Sequence, residues 1–269
     1  MSMLDRSVET FSVSSALLFD SATRRLDASF YDAAVIEAIG ALEASGMALT
    51  PIRDLTERVF IPNRFKRNYV DADHGVPFLQ GSHIIQFRPD DVRYLALATH
   101  KNMDNLLISS GWLLITRSGT VGRCAIVTAQ WDGWAASEHI FRVVPRPGCP
   151  VGYLATFLGS PVGQLQLSHQ IYGAVVDELT VEHIRGIRVP MPVTKAQKRT
   201  VAAINAEALA AAEARASAVV LADAADRSLA MFLPQPEQPE FVPGRDDRMK
   251  IDADPEDALR AMLRTPRQG

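Results

Sequence analysis

From Thr194 to Leu233 the chain runs for forty residues without glycine or proline, and alanine dominates. Alanine is the best helix former because it loses no side-chain entropy, so this stretch is predicted to be one continuous helix. Thr194 supplies an N-cap hydroxyl, and PQPEQPEFVPG, from Pro234 to Gly244, cannot continue the helix. Forty residues would span about 60 Å, so the fold must give this rod something to pack against. In a seven-residue repeat, Val201, Ile204, Ala208, Ala211, Ala218, Ala222, Ala225, Leu229 and Phe232 share a seam, with Arg215 the exception. That seam predicts pairing with a second helix. The alternative is a helix lying along its own domain.

The chain before the rod has a different texture. Residues 29–46 read as a short amphipathic helix, with Tyr31, Val35, Ile36, Ile39 and Leu42 at helical spacing and Gly46 as its stop. Between Pro51 and Pro147, short β-rich runs (VPFLQG, HIIQF, WLLITRSG, RCAIV, HIFRVV) alternate with Gly, Pro, Asn and Asp. A helical stretch is predicted from Gly152 to about His169, and IRGIRVPMP reads as a strand ended by two prolines. The expected fold class is α+β: a compact, irregular β-rich domain with short helices, then one long α-helical coiled-coil spacer and a flexible C-terminal tail. The expected divisions are an N-terminal segment 1–50, a domain 51–193, the long helix 194–233, and a proline-rich linker with a short terminal helix over 234–269.

Several function classes are excluded. No segment approaches the roughly 18 uninterrupted apolar residues of a membrane span, and Asp5, Arg6 and Glu9 interrupt any signal-peptide core. A cytoplasmic location is expected. Cys124 and Cys149 have neither CxxC nor Cys/His spacing, and the six histidines form no HExxH pair. No metal, cofactor or catalytic residue is predicted. Ser118-Gly119-Thr120-Val121-Gly122 is followed by no Lys-Ser/Thr pair, so it is not a P-loop, and Ser118 sits in RSG rather than GxSxG.

LLITRSGTVGRCAIV, residues 113–127, sets that glycine loop between strand-like flanks. Two readings stand. In one it is a hairpin turn whose glycines take positive φ. In the other, Arg117 and Arg123 approach a nucleic-acid backbone, with Ser118 and Thr120 as donors to phosphate. Upstream, residues 53–70 carry Arg53, Arg58, Arg64, Lys66 and Arg67 against only Asp54 and Glu57, although the whole chain has net charge −3. Phe65 and Tyr69 interleave with these bases, which suits phosphate contact plus stacking. Gln80, Ser82, His83 and Gln86 are side-chain types able to read base edges.

These pieces, in this order, resemble a target-recognition domain of a type I restriction–modification specificity subunit. The residues that carry the resemblance are Arg25–Asp32, Gly75–Leu79 with Gly81–Ile84, and above all Gly111–Gly122. Asp177–Leu179 with Ile184, Ile187, Val189, Pro190 and Pro192 follows, and then Gln197 with the long helix. Trp112 stands where the family usually has an acidic residue, and Ala196 where it has glutamate. The resemblance implies a non-catalytic subunit whose recognition domain reads half of a bipartite site in double-stranded DNA. It implies a spacer helix that binds a methyltransferase subunit and, in some systems, a nuclease subunit. One copy of each motif implies a half-length form, and hence a homodimer through the long helix reading a palindromic split site. A second reading is an assembly or regulatory subunit of a phage-defence complex that no longer reads DNA.

Overall fold

A computed structural model describes residues 33–89, 91–96, 103–169 and 179–233; the predicted tail helix and residues 29–32 lie outside them. In chain order the helices are α1 (Ala33–Ala44), the short α2 (Ile52–Leu55), α3 (Val151–Gly159), α4 (Pro161–His169), α5 (Val181–Gly186) and α6 (Lys195–Phe232). The strands are β1 (Ala48–Pro51), β2 (Thr56–Phe60), β3 (Tyr69–Val70), β4 (Gly75–Leu79), β5 (Arg93–Ala96), β6 (Leu113–Thr116), β7 (Cys124–Ile126), β8 (Ala135–Ala136), β9 (Ile140–Pro145) and β10 (Arg188–Met191). The fold is α+β. Two compact units divide the chain, Met1–Ala225 and Asp226–Gly269.

In the first unit an antiparallel sheet runs in the order β2-β9-β6-β7, and a second sheet in the order β3-β5-β4-β8. β1 pairs with β10, from Ala48 opposite Met191 to Pro51 opposite Arg188, which stitches the segment before residue 51 into the same body. All four residues of β6 are buried, because it is a central strand covered on both faces. Leu113 and Ile115 join Phe141, Val143, Leu154, Phe157 and Ile184 in the main core. Leu114, one residue out of phase, faces a second core with Leu79, Ile108, Trp131 and Ile140. Burying each such side chain contributes roughly 1.5–3 kcal/mol.

β9 carries one charge through this core. Arg142 is fully buried, and its guanidinium donates to the carbonyls of Ser137 (2.7 Å), Ile140 (2.6 Å), Leu106 (3.1 Å) and Ala136. Ala136 belongs to β8 of the other sheet, so this side chain ties the two sheets together.

Three sequence expectations are corrected. HIIQF is not a strand: Gly81–Ile84 form a 3-10 turn, in which the Gln80 N–H donates to His83 Nδ1 at 3.2 Å. The helix expected over 152–169 is two helices, because Ser160 takes an extended backbone ahead of Pro161. In IRGIRVPMP only Arg188–Met191 is strand, and Ile184–Gly186 end α5.

The long helix forms as predicted, starting on a reciprocal cap. The Gln197 N–H donates to Thr194 Oγ1 (3.2 Å), while Gln197 Oε1 accepts from the Val193 and Thr194 N–H groups (3.0 Å each). Its packed face coincides with the heptad seam only in part. Val201, Ala216 and Val219 are buried, Ile204 packs on the main core, and Arg215 donates to the Gln86 carbonyl and lies over Trp131 at 5.5 Å. From Val201 to Val219 this face repeats every 3.6 residues, and a straight helix drifts about 20° per heptad away from a seven-residue seam. Val201, Ile204 and Ala208 are therefore spent inside the domain, whereas Leu229 and Phe232 in the second unit remain exposed.

Asn205 couples this helix to α3. Its Oδ1 accepts from the N–H groups of Gly152 (2.8 Å) and Tyr153 (3.3 Å), capping α3 from a neighbouring element. A Cβ on Gly152 would lie 2.5 Å from the Asn205 carbonyl oxygen. Gly152→Ala is expected to lower stability by about 1–3 kcal/mol through this overpacking. Urea denaturation checks it, and an unchanged midpoint would count against the contact.

Candidate nucleic-acid interface

Thr116, at the end of β6, builds the glycine loop. Its N–H donates to the Arg123 carbonyl (2.9 Å), its carbonyl accepts from Gly122, and its hydroxyl accepts from the Arg123 N–H (2.9 Å) while donating to the Thr120 carbonyl. Gly119 and Gly122 take φ of +74° and +79°, the conformation expected of a glycine turn. Gly122 also packs on α4: a Cβ there would meet Leu167 at 3.2 Å, and Gln164 donates to its carbonyl. The 121–122 half of the loop is thus structural, which leaves Thr120 and Arg123 exposed and Ser118 half-exposed. Cys124, next along, donates its S–H to the Gly122 carbonyl (3.4 Å), and burial pushes its thiol up to about 12.

Four separated segments converge beside Ser118. The Arg117 N–H donates to the His139 carbonyl (2.8 Å), and Ser118 Oγ lies 2.9 Å from His139 Nδ1. Glu138 accepts two contacts from Arg67 Nη2 (2.9 Å each) and one from the Ser137 hydroxyl (3.2 Å). Its carboxylate also lies 3.8 Å from His139 Nε2. The Ser137 N–H donates to the Leu79 carbonyl, just before Gln80, and Gly81 sits over Thr116. Arg67, the turn at Gln80–Ser82, the loop at Arg117–Thr120 and the Glu138–His139 pair therefore share one end of the domain.

The electrostatics follow from burial. Burial pushes the Glu138 carboxyl up, but hydrogen bonding and charge from Arg67 outweigh it and hold the group below the ordinary carboxylate range. Arg67 is conversely raised against its own desolvation by Glu138. A lowered carboxylate stabilises the fold above the ordinary range, and that contribution is lost as pH falls through the lowered value. Glu138→Gln is expected to flatten the acid limb of the stability profile. Thermal unfolding between pH 3 and 7 measures this, and parallel profiles for variant and parent would refute it.

The other sequence-predicted residues divide clearly. Arg64 and Lys66 are exposed, and neither they nor Arg123 has a side-chain ion pair among the described residues. Tyr69 is 39% exposed, with Arg93 over its ring at 5.3 Å. Phe65 does not stack outward as expected; it meets Phe78 edge-on at 6.2 Å and joins a small core. His83 is buried and committed to its own turn. The Gln86 carbonyl is held by Arg215, whereas Gln80 and Ser82 keep solvent access. Sequence reasoning missed Glu138 and His139, whose only signal is the polar triplet Ser137-Glu138-His139 ahead of the apolar run of β9. Trp112, the departure from the family pattern, packs edge-on against Phe60 at 6.0 Å.

The arrangement is an α+β domain with a mixed-charge polar end and a long helix alongside. No family model matches the sequence, and no curated protein matches it. Among solved structures the chain is similar to one from a type I R-M system solved for complex assembly and conformational transition, at TM-score 0.46 and 15% identity over 74% of this chain and 51% of that one. It is also similar to the HsdS subunit from Thermoanaerobacter tengcongensis, at 0.44 and 16% over 76% and 50%. A third is the type I restriction-modification S subunit from M. genitalium, at 0.43 and 12% over 76% and 50%. The chain spans about half the length of each.

Proposed function

We propose that this chain acts as a specificity subunit of a type I restriction–modification-like system, reading double-stranded DNA for a partner methyltransferase or nuclease. The observation that carries the reading is the meeting of Arg67, Gln80, Ser82, Arg117 and Ser118 with Glu138 and His139 at one end of the domain. Such a surface holds both hydrogen-bond polarities, since Gln80 and Ser82 donate and accept, while buried Glu138 holds Arg67 in place beside them. Arg64, Lys66 and Arg123 supply phosphate contacts, which carry affinity but no sequence information. Ser118 and Thr120 serve as hydroxyl donors to the same backbone. The subunit contributes no catalysis of its own.

In this reading two copies associate through the long helix, whose Leu229 and Phe232 are exposed, and their two-fold axis sets a palindromic split site. Random-site selection with the full chain at low salt is the test. The expected result is enrichment of a single half-site motif, with binding that weakens steeply as salt rises. Equal recovery of all duplexes would end the proposal.

A further inference from the structure

Arg53 and Arg58 belong to the basic stretch 53–70 but lie away from Arg67 and the polar end. They line a cleft of about 200 Å³ together with Thr56, Glu57, Arg146 and Arg185. Four guanidinium-bearing residues come here from α2, β2, the end of β9 and α5, positions up to 132 residues apart in sequence. His139 and Arg146 bracket β9, so about 23 Å of strand, at roughly 3.3 Å per residue, separates the cleft from the Ser118–His139 pair.

The charge around the cleft is incompletely balanced. Arg53 has only a 3.9 Å contact with Asp54, and Arg185 pairs with Glu182 at 3.0 Å. Neither Asp54 nor Glu182 lines the cleft, and Glu57 is the one carboxylate that does. Arg58 is turned aside, stacked 3.8 Å over Phe60 with a long contact to Asn105. The side chain of Arg146 has no hydrogen bond or ion pair among the described residues. Its position is nonetheless fixed at the root, where its N–H donates to the Leu55 carbonyl at 3.0 Å.

We propose that this cleft is an anion site for a phosphate group, with Arg146 as its central ligand and Arg53 and Arg185 flanking it. Guanidinium groups present planar forks of N–H donors that match phosphate oxygens, and they stay charged throughout the physiological range. The volume lies below the roughly 300 Å³ at which a pocket encloses a drug-sized molecule. A phosphorylated ligand therefore inserts only its phosphate and leaves the remainder outside. The phosphate comes either from a nucleic-acid backbone or from a free nucleotide.

Calorimetric titration of the full chain with pyrophosphate, at constant ionic strength and with acetate as the carboxylate control, tests the site. The expected result is saturable pyrophosphate binding that Arg146→Ala weakens at least tenfold, the loss of a charge-assisted contact set. Arg93→Ala, which removes an exposed arginine on β5 of the other sheet, is expected to change it less than twofold. Arg146 is an exposed side chain, so its replacement leaves the thermal midpoint in place, which a parallel melt verifies. Absence of saturable binding, an equal response to acetate, or equal losses in the two variants would overturn the proposal. Displacement of pyrophosphate by a duplex of any sequence assigns the phosphate to nucleic acid, and displacement by a nucleoside diphosphate alone assigns it to free nucleotide. The pyrophosphate binding step precedes any addition of DNA, so it stands or falls separately from the random-site selection.

Discussion

Arg142→Met is expected to cost the fold about 4 kcal/mol or more, close to the whole stability of many single domains. Methionine fills much of the same volume, so the loss is not chiefly one of packing. Four backbone carbonyls, at Leu106, Ala136, Ser137 and Ile140, converge on the guanidinium. Each one orphaned in a dry interior costs roughly 1–3 kcal/mol. Burial drags the group down to about 9, partly opposed by the charge of Glu138, and it stays protonated at neutral pH. Urea denaturation at pH 7 is the measurement. A midpoint within about 1 kcal/mol of the parent would mean that water or backbone movement satisfies the carbonyls instead.

The triple variant Arg64→Ala, Lys66→Ala, Arg123→Ala is expected to lose about two orders of magnitude in DNA affinity near 0.1 M salt. Three lost phosphate contacts should also reduce the slope of log affinity against log salt by about 2.7. None of these three cations has a carboxylate partner among the described residues, so each can give its full charge to DNA. Arg67 behaves differently, since its charge is already held by Glu138. Replacing Arg67 should redistribute sequence preference through the released carboxylate. A triple variant with unchanged salt slope would place the duplex on another face.

Much of this architecture is written locally. The alanine-rich run without glycine or proline and the N-cap hydroxyl of Thr194 mark where α6 begins, and the positive-φ glycines at 119 and 122 mark the loop. What was misread depended on partners far away in sequence. HIIQF has strand composition, but its register is decided by His83 turning back on Gln80. The heptad pattern shows which side chains share a face of α6, but nothing local says that the domain covers Val201 and Ile204 or that Gly152 lets α3 approach Asn205. The candidate site was half legible, since a basic loop and a glycine loop can be seen in isolation. Glu138 and His139 cannot, because an isolated polar triplet has no period, and its meaning comes only from the ends of β4 and β6 that meet it. Arg142 looks like an ordinary strand arginine until four carbonyls are found around it.

Cys124 offers an internal reporter on the long helix. It lines a second cleft, distinct from the one at Arg146, together with Ala208, Ala211 and Arg215 of α6, and its thiol is held neutral there, as burial also raises that of Cys149. Only thiolate is alkylated at a useful rate, so the native protein should resist iodoacetamide. Labelling at Cys124 would then count the moments at which α6 lifts from the sheet. Its rate, compared with and without DNA, turns a quiet residue into a stopwatch for how firmly the rod is latched.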